Sequence, residues 1–279
     1  MGTVYLNAIC AQKTLGAVKD EAFRDLAARC RGAYYLGSIA EELFCFFDCF
    51  SKEENTWIRD IASQLKNEGI ALFDDIKKYI GKAPAADRDV LKAYLAGMAA
   101  DYTCDYRTGG YLDTVIPAGG SRTRRNEAAV KLECCLLKDT KDPVDLKGAL
   151  EGLTADQTLA IERMYAAVIG EKRRQIIPDG IIADCVAKLI KALGQKKSIL
   201  PIPRPGREFC WAPSDDRDGI LNSDHRKWTD RGGETANYSL QEMIGYAARD
   251  ASGIVVKLTQ AADRAIPTES CEFLFRKLN

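Results

Sequence analysis

The chain has 279 residues and a formal net charge of zero from 40 basic and 40 acidic side chains, with 46% apolar and 29% charged residues. That length and apolar content allow one sizeable core and exclude wholesale disorder, while the lack of a basic excess excludes nucleic acid as a bulk electrostatic partner. No apolar run approaches a membrane span and no basic-then-apolar leader opens the chain, so the expectation is a cytoplasmic protein, or a secreted one whose leader has been removed.

Residues 4–14 and 19–31 read as two short helices separated by a turn near Gly16. Gly32 and Gly37 bracket AYYL, and SIAEELFCFFDCFSKEE then predicts a strongly apolar helix, whose run from Leu43 to Phe50 is interrupted only by Asp48. Residues 55–79 predict a longer amphipathic helix through Trp57, Ile58, Ile61, Leu65, Ile70, Leu72 and Phe73, with Asp74 and Asp75 on its solvated side. GKAPAAD reads as a turn with an acid cap before the next helix.

That next helix, residues 91–110, organises the rest. Leu91, Tyr94, Leu95 and Met98 recur at the spacing of an inward-facing stripe, and Asp101 and Asp105 continue it. Two acids four residues apart repel by roughly 0.2–0.5 kcal/mol even in water. Buried, they call for a metal ion, an arginine or a proton. The alternative is a helix rolled so that both acids meet solvent.

YLDTVIPAGGSRT reads as a loop, and RRNEAAVKLECCLLKD resumes as a helix. Further helices are expected over 154–170, with Thr154 as N-cap, and over 180–193. The stretch 198–234, with Pro201, Pro203, Pro205 and Pro213, predicts a long irregular excursion that Phe209, Trp211 and Trp228 anchor as a packed cover. A last long helix over 239–265 and a short tail over 271–278 follow. Strand-like alternation is scarce, so the prediction is an all-α fold: one helical domain over 1–279 with 198–234 as its irregular covering loop.

Ten cysteines are scattered without a C-x-x-C pair and fall mostly in apolar helical stretches, Cys104 among them, which reads as reduced core thiols. Cys45 and Cys49 share a helix face, but no second pair completes a zinc site. His225 is the sole histidine, so any zinc site has at most one imidazole; its setting beside Arg226 and near Trp228 reads as packing and hydrogen bonding.

Several segments together resemble the zinc-dependent phospholipase C family. GSIAEELFCFFD is similar to the family helix that runs from a glycine to an Asp with a His soon after. AYLAGMAADYTCDYRTGGYL is similar to the stretch built on H-Y-x-x-D-x-x-x-H-P, RRNEAAVKLECCLLKD to the helix that brings a His and a Glu, and ILNSDHRKWTDRGGE to the N-x-x-H-R-x-W segment before the last helix. The resemblance covers nearly the whole chain in order and spacing. It places Asn7 near an N-terminal family His, Glu42 at the Asp of the apolar helix and Asp48 at the His that follows. Asp101 stands at the first His of the central motif, Asp105 at its Asp, Gly109 at its second His, and Glu127 at the Glu of the next helix, with Thr123 or Arg124 where the His before it would be.

Every expected imidazole is thus replaced, mostly by oxygen side chains. The resemblance therefore implies a helical phosphoesterase scaffold whose site would be ringed by Asp48, Asp101, Asp105, Glu127 and Glu42, with Asp101 and Asp105 foremost. Such oxygen donors suit magnesium, manganese or calcium better than zinc. Arg124 and Arg125, with Asn7, are the candidate substrate contacts, and Arg173 and Arg174 read more simply as a solvated face. The expected function is phosphoester or diphosphate chemistry on a small molecule or lipid, assisted by a divalent metal. Two alternatives stand beside it: a binding or structural protein that kept the scaffold and lost the site, and magnesium-dependent prenyl-diphosphate (terpene cyclase-like) chemistry, hinted at by the acids of DYTCD.

Overall fold

Helix α1 (Val4–Ala17) is apolar on nearly every side, with Val4, Leu6, Ala8, Ile9, Cys10 and Ala11 all buried. A helix of that composition belongs inside a protein rather than on its surface, and α1 runs through the interior. The computed structural model describes residues 3–47, 69–116, 122–171, 177–195, 210–229, 232–263, and the single positions 271 and 275.

After α1 come α2 (Glu21–Arg29), whose N-cap Asp20 accepts from the Phe23 N–H, α3 (Arg31–Gly37), and α4 (Ala40–Leu43) with a 3-10 turn over Phe44–Phe46. The single apolar helix expected over 38–54 is therefore broken within its described part, and residues 48–54 lie outside the described residues. Leu43, Phe44 and Phe46 are all buried. Such a run cannot turn one face inward on a straight α-helix, and the tighter turn lets successive residues find separate pockets. Gly32 and Gly37, which bracket AYYL, both lie inside α3.

α5 (Ile70–Lys82) and α6 (Ala85–Val115) follow. α5 begins at Ile70 behind its N-cap Gly69, whose φ of 45 is not helical, and it runs to Lys82, past the expected end at 79. The single helix expected over 55–79 is therefore not continuous through Gly69; residues 55–68 are outside the described residues. Asp74 does not lie on a solvated side. It pairs with the buried Lys77 at 3.1 Å and accepts the Cys271 backbone N–H at 2.8 Å, so it fastens the C-terminal tail to α5.

The organising helix α6 is 31 residues long and outruns its expected bounds at both ends. Its N-cap is Pro84 without a side-chain cap, and the expected acid, Asp87, sits inside the first turn instead, pairing with Arg163 at 2.8 Å. At the other end Tyr111, Leu112 and Ile116 continue the buried stripe, which is why residues expected as loop are helical.

The crossing of α3 over α6 depends on two glycines. A Cβ on Gly37 would stand 2.0 Å from the Tyr94 carbonyl oxygen, and one on Gly97 would stand 2.1 Å from that of Tyr34. The backbones touch directly, with no room for a side chain between them.

The remaining helices are α7 (Arg122–Asp139), α8 (Leu146–Glu151), α9 (Ala155–Tyr165) running into a π-helical turn over Ala166–Glu171, α10 (Ile181–Leu193) and α11 (Leu240–Ala262). Thr154 with Gln157, and Ser239 with Glu242, form reciprocal capping boxes that fix where α9 and α11 begin. Glu162 of α9 accepts from the Gly180 and Ile182 N–H groups and so caps α10 from outside. Among the described residues the strands are one antiparallel pair, β1 (Trp228–Thr229) with β2 (Thr235–Ala236), so the fold is all-α in class as expected. α11 packs along α6 and α1, and buried side chains from all these helices join one continuous apolar core. Among the described residues no helix is long and apolar enough to cross a membrane.

Candidate acidic site

Three helices aim polar side chains at one interior place, two of them acids and the third an amide. α6 continues its apolar stripe past Met98 and delivers Asp101, which is 5% exposed, with Asp105 one turn on and half-buried. α1 supplies Asn7, fully buried, whose Nδ2 donates to Asp101 Oδ1 at 2.5 Å. α4 supplies Glu42, buried, and Glu41, half-buried. Burial first, then the charges of Glu42, Asp105 and Glu41, hold the Asp101 carboxyl well above the usual carboxylate range.

No basic side chain figures among these main influences on Asp101. Asn7 Oδ1 has no hydrogen-bond partner among the described residues. A protonated Asp101 would be served by the same contact if the amide turned over, its O–H then donating to the carboxamide oxygen.

Beside this cluster the hydroxyls of Tyr94 and Tyr165 meet at 2.6 Å, both fully buried and both within the field of Asp101. The Cys104 thiol lies against Cys10, is raised by burial, and is core as expected.

A second buried acid sits nearby. Glu133 of α7, at 0% exposure, accepts the Leu6 backbone N–H at 2.9 Å and the Trp211 indole N–H at 2.6 Å. Burial raises its pKa to about 8, against the pull of those donors and with a further push from Glu42. Through Glu42 the two acidic groups feel each other.

The residues singled out from sequence divide as follows. Asn7, Glu42, Asp101 and Asp105 come together. Glu127 does not: it is exposed on α7, and Glu133 is the acid that helix turns inward. Six residues rotate a helix by about 600°, leaving the two side chains roughly 120° apart. The inward choice is visible in the chain itself, because Ala129, Leu132, Glu133 and Leu136 share the buried stripe. Arg124 is exposed and Arg125 half-buried, and neither figures among the main influences on Asp101. Gly109 is half-buried within α6. Asp48, Arg173, Arg174, Cys49 and Phe209 lie outside the described residues.

The irregular stretch covers this end of the molecule in its described part. Trp211 packs edge-on against Tyr5 at 5.6 Å, and Trp228 lies 5.4 Å from Tyr111. Asp216 accepts the Ile220 and Leu221 N–H groups, and the buried Asn222 side chain bonds the Arg226, Asn237 and Tyr238 carbonyls. His225, in the left-handed region at φ 56, lies 3.2 Å from the Asn237 carbonyl and 3.4 Å from Glu242, supporting the start of α11. Its ring is half exposed, so of the role its sequence setting implied the polar contacts are present and the packing is not.

By kind, the donors around Asp101 fit a hard cation: carboxylates plus an orphaned carboxamide oxygen. By distance they are not closed around one, for among the described residues no three His, Cys, Asp or Glu side chains gather tightly enough to hold a metal. No protein-family model, curated protein or solved structure matches the chain.

Proposed function

We propose that the cluster around Asp101 binds a hard divalent cation, magnesium, manganese or calcium in preference to zinc, and supports phosphoester or diphosphate chemistry on a scaffold similar to the zinc-dependent phospholipase C family. One observation carries this reading: the buried carboxyl of Asp101, held by the Asn7 amide, lies in the field of three further acids, Glu42, Asp105 and Glu41. Crowding carboxyls together in an interior is costly, and a hard divalent cation is a partner that oxygen donors of this kind accept. Asp101 and Asp105 would be the principal holders, with Glu42 beside them; Asn7 orients the Asp101 carboxyl through its 2.5 Å bond. A bound ion would polarise a phosphoryl oxygen or lower the pKa of water.

A second reading has its own support. A scaffold that binds without turnover is favoured by the open spacing of the acids, since a helix cluster can simply keep its carboxyls protonated. The deciding experiment measures metal content of protein purified without added metal, then assays generic phosphodiesters and prenyl diphosphates with and without magnesium, manganese and calcium. A stoichiometric hard cation, with metal-dependent turnover lost in Asp105→Asn, is the expected result. Metal-free, folded protein with no metal-dependent turnover overturns it in favour of the scaffold.

A further inference from the structure

The described start of the covering segment runs along α7 as a register of paired contacts. Trp211 meets Glu133, the Ser214 N–H donates to the Cys134 carbonyl at 3.0 Å, and Cys135 faces Ser214 and Asp215. Lys131 adds an ion pair to Asp218. Within this register Cys134 Sγ lies 3.6 Å from the carbonyl oxygen of Cys210, while Cys210 Sγ faces the Gln195 carbonyl at 3.8 Å.

We infer that Cys134 and Cys210 are a reversible redox pair, forming a disulfide that clamps the covering segment onto α7 when a peroxide is present. A disulfide needs its two Cβ atoms about 3.5–4.5 Å apart. A sulfur already touching its partner's own carbonyl brings that within a side-chain rotation and a small shift of an irregular segment. Both S–H···O contacts are long and weak, so turning Cys210 away from Gln195 gives up little.

The two thiols differ in a way that assigns their roles. Cys210 is half-buried and meets the oxidant; Cys134 is buried, with its pKa pushed up to about 11, and acts second. Hydrogen peroxide oxidises the Cys210 thiol to a sulfenic acid: the S–O bond forms as the O–O bond breaks, and the departing hydroxide takes the thiol proton and leaves as water. The Cys134 sulfur then attacks that sulfenic sulfur, the S–S bond forms, and the hydroxyl leaves with the Cys134 proton as a second water. Two thiols and one hydrogen peroxide thus give one disulfide and two waters. A thiol reductant reverses the change. The cross-link would hold Trp211 over Glu133.

The test treats the full chain with hydrogen peroxide, blocks remaining thiols, and maps cross-linked peptides by mass spectrometry. The expected result is a Cys134–Cys210 linkage that dithiothreitol reverses, kept in Cys135→Ser and lost in Cys134→Ser and in Cys210→Ser. Oxidised wild type should melt higher than reduced wild type by roughly 5–10 °C, because the bond closes a long loop. The wild-type map is decisive even where a variant folds poorly. Cys210 found as sulfinic acid, joined to another cysteine, or still a free thiol after neighbouring cysteines have oxidised, overturns the assignment.

Discussion

Helix α6 joins two unlike interiors. Its upstream part, around Gly97, meets α3 with backbone against backbone and buries nothing that carries a charge there. One turn further, Asp101 is as deeply enclosed but stands among Glu42, Asp105 and Glu41, with the Asn7 amide as donor. The upstream contact is complete and tolerates no addition, whereas the downstream group is frustrated and asks for a partner. A close-packed anchor beside a crowded acidic cluster is how a fold can carry such a cluster without losing its shape.

The contrast breaks most sharply at its upstream end. Gly97→Ala should cost about 3 kcal/mol or more, because the new methyl meets a main-chain oxygen that cannot step aside. Urea unfolding checks this, and a loss below about 1 kcal/mol would mean that the crossing is loose.

The next effect is one of pH. Glu133 keeps its proton in the fold up to about pH 8, while in the unfolded chain it ionises near 4.5; Asp101 is shifted the same way from 3.8. Between those limits the unfolded chain binds fewer protons. The stability these groups contribute is therefore fully present below the unfolded values and lost as pH rises through the folded ones, at on the order of 1 kcal/mol per pH unit for each group. Unfolding midpoints should fall from about pH 5 to about pH 8. A rise instead would mean that both acids are ionised and compensated.

Asp101→Asn sharpens the comparison by relieving the frustrated end. Without added cation, the variant should be more stable than wild type at about pH 8 by about 1–3 kcal/mol, and its pH dependence should be shallower. If millimolar magnesium, manganese or calcium raises the wild-type midpoint, the gain should be absent in the variant. The smallest effect belongs to Glu127→Gln, within about 0.5 kcal/mol and with no change in any metal response, as expected for an exposed side chain.

Much of the helical frame was legible in the chain because its signals are local. The stripe through Leu91, Tyr94, Leu95 and Met98 led correctly to a buried Asp101, and Thr154 and Ser239 mark helix starts that both proved to be capping boxes. What escaped depends on distant partners. Gly32 and Gly37 look like punctuation until the Tyr94 carbonyl is known to lie against one of them. Asp74 looks solvated until the Cys271 N–H arrives from the far end of the chain. The exchange of Glu133 for Glu127 is different in kind. Glu127 matches the family motif, but the apolar stripe of α7 through Ala129, Leu132 and Leu136 carries Glu133 inward and leaves Glu127 exposed.

The packing of α11 sets the order in which this protein can be made. Residues 240–262 lie along both α6 and α1, so segments more than two hundred residues apart share one interior. Until residues 240–262 are in place, the flanks of α1 and α6 that they cover are bare, and 222 residues after α1 and 124 after α6 precede the helix that covers them. Those flanks are therefore the apolar surface most open to association with other chains while the rest of the interior forms.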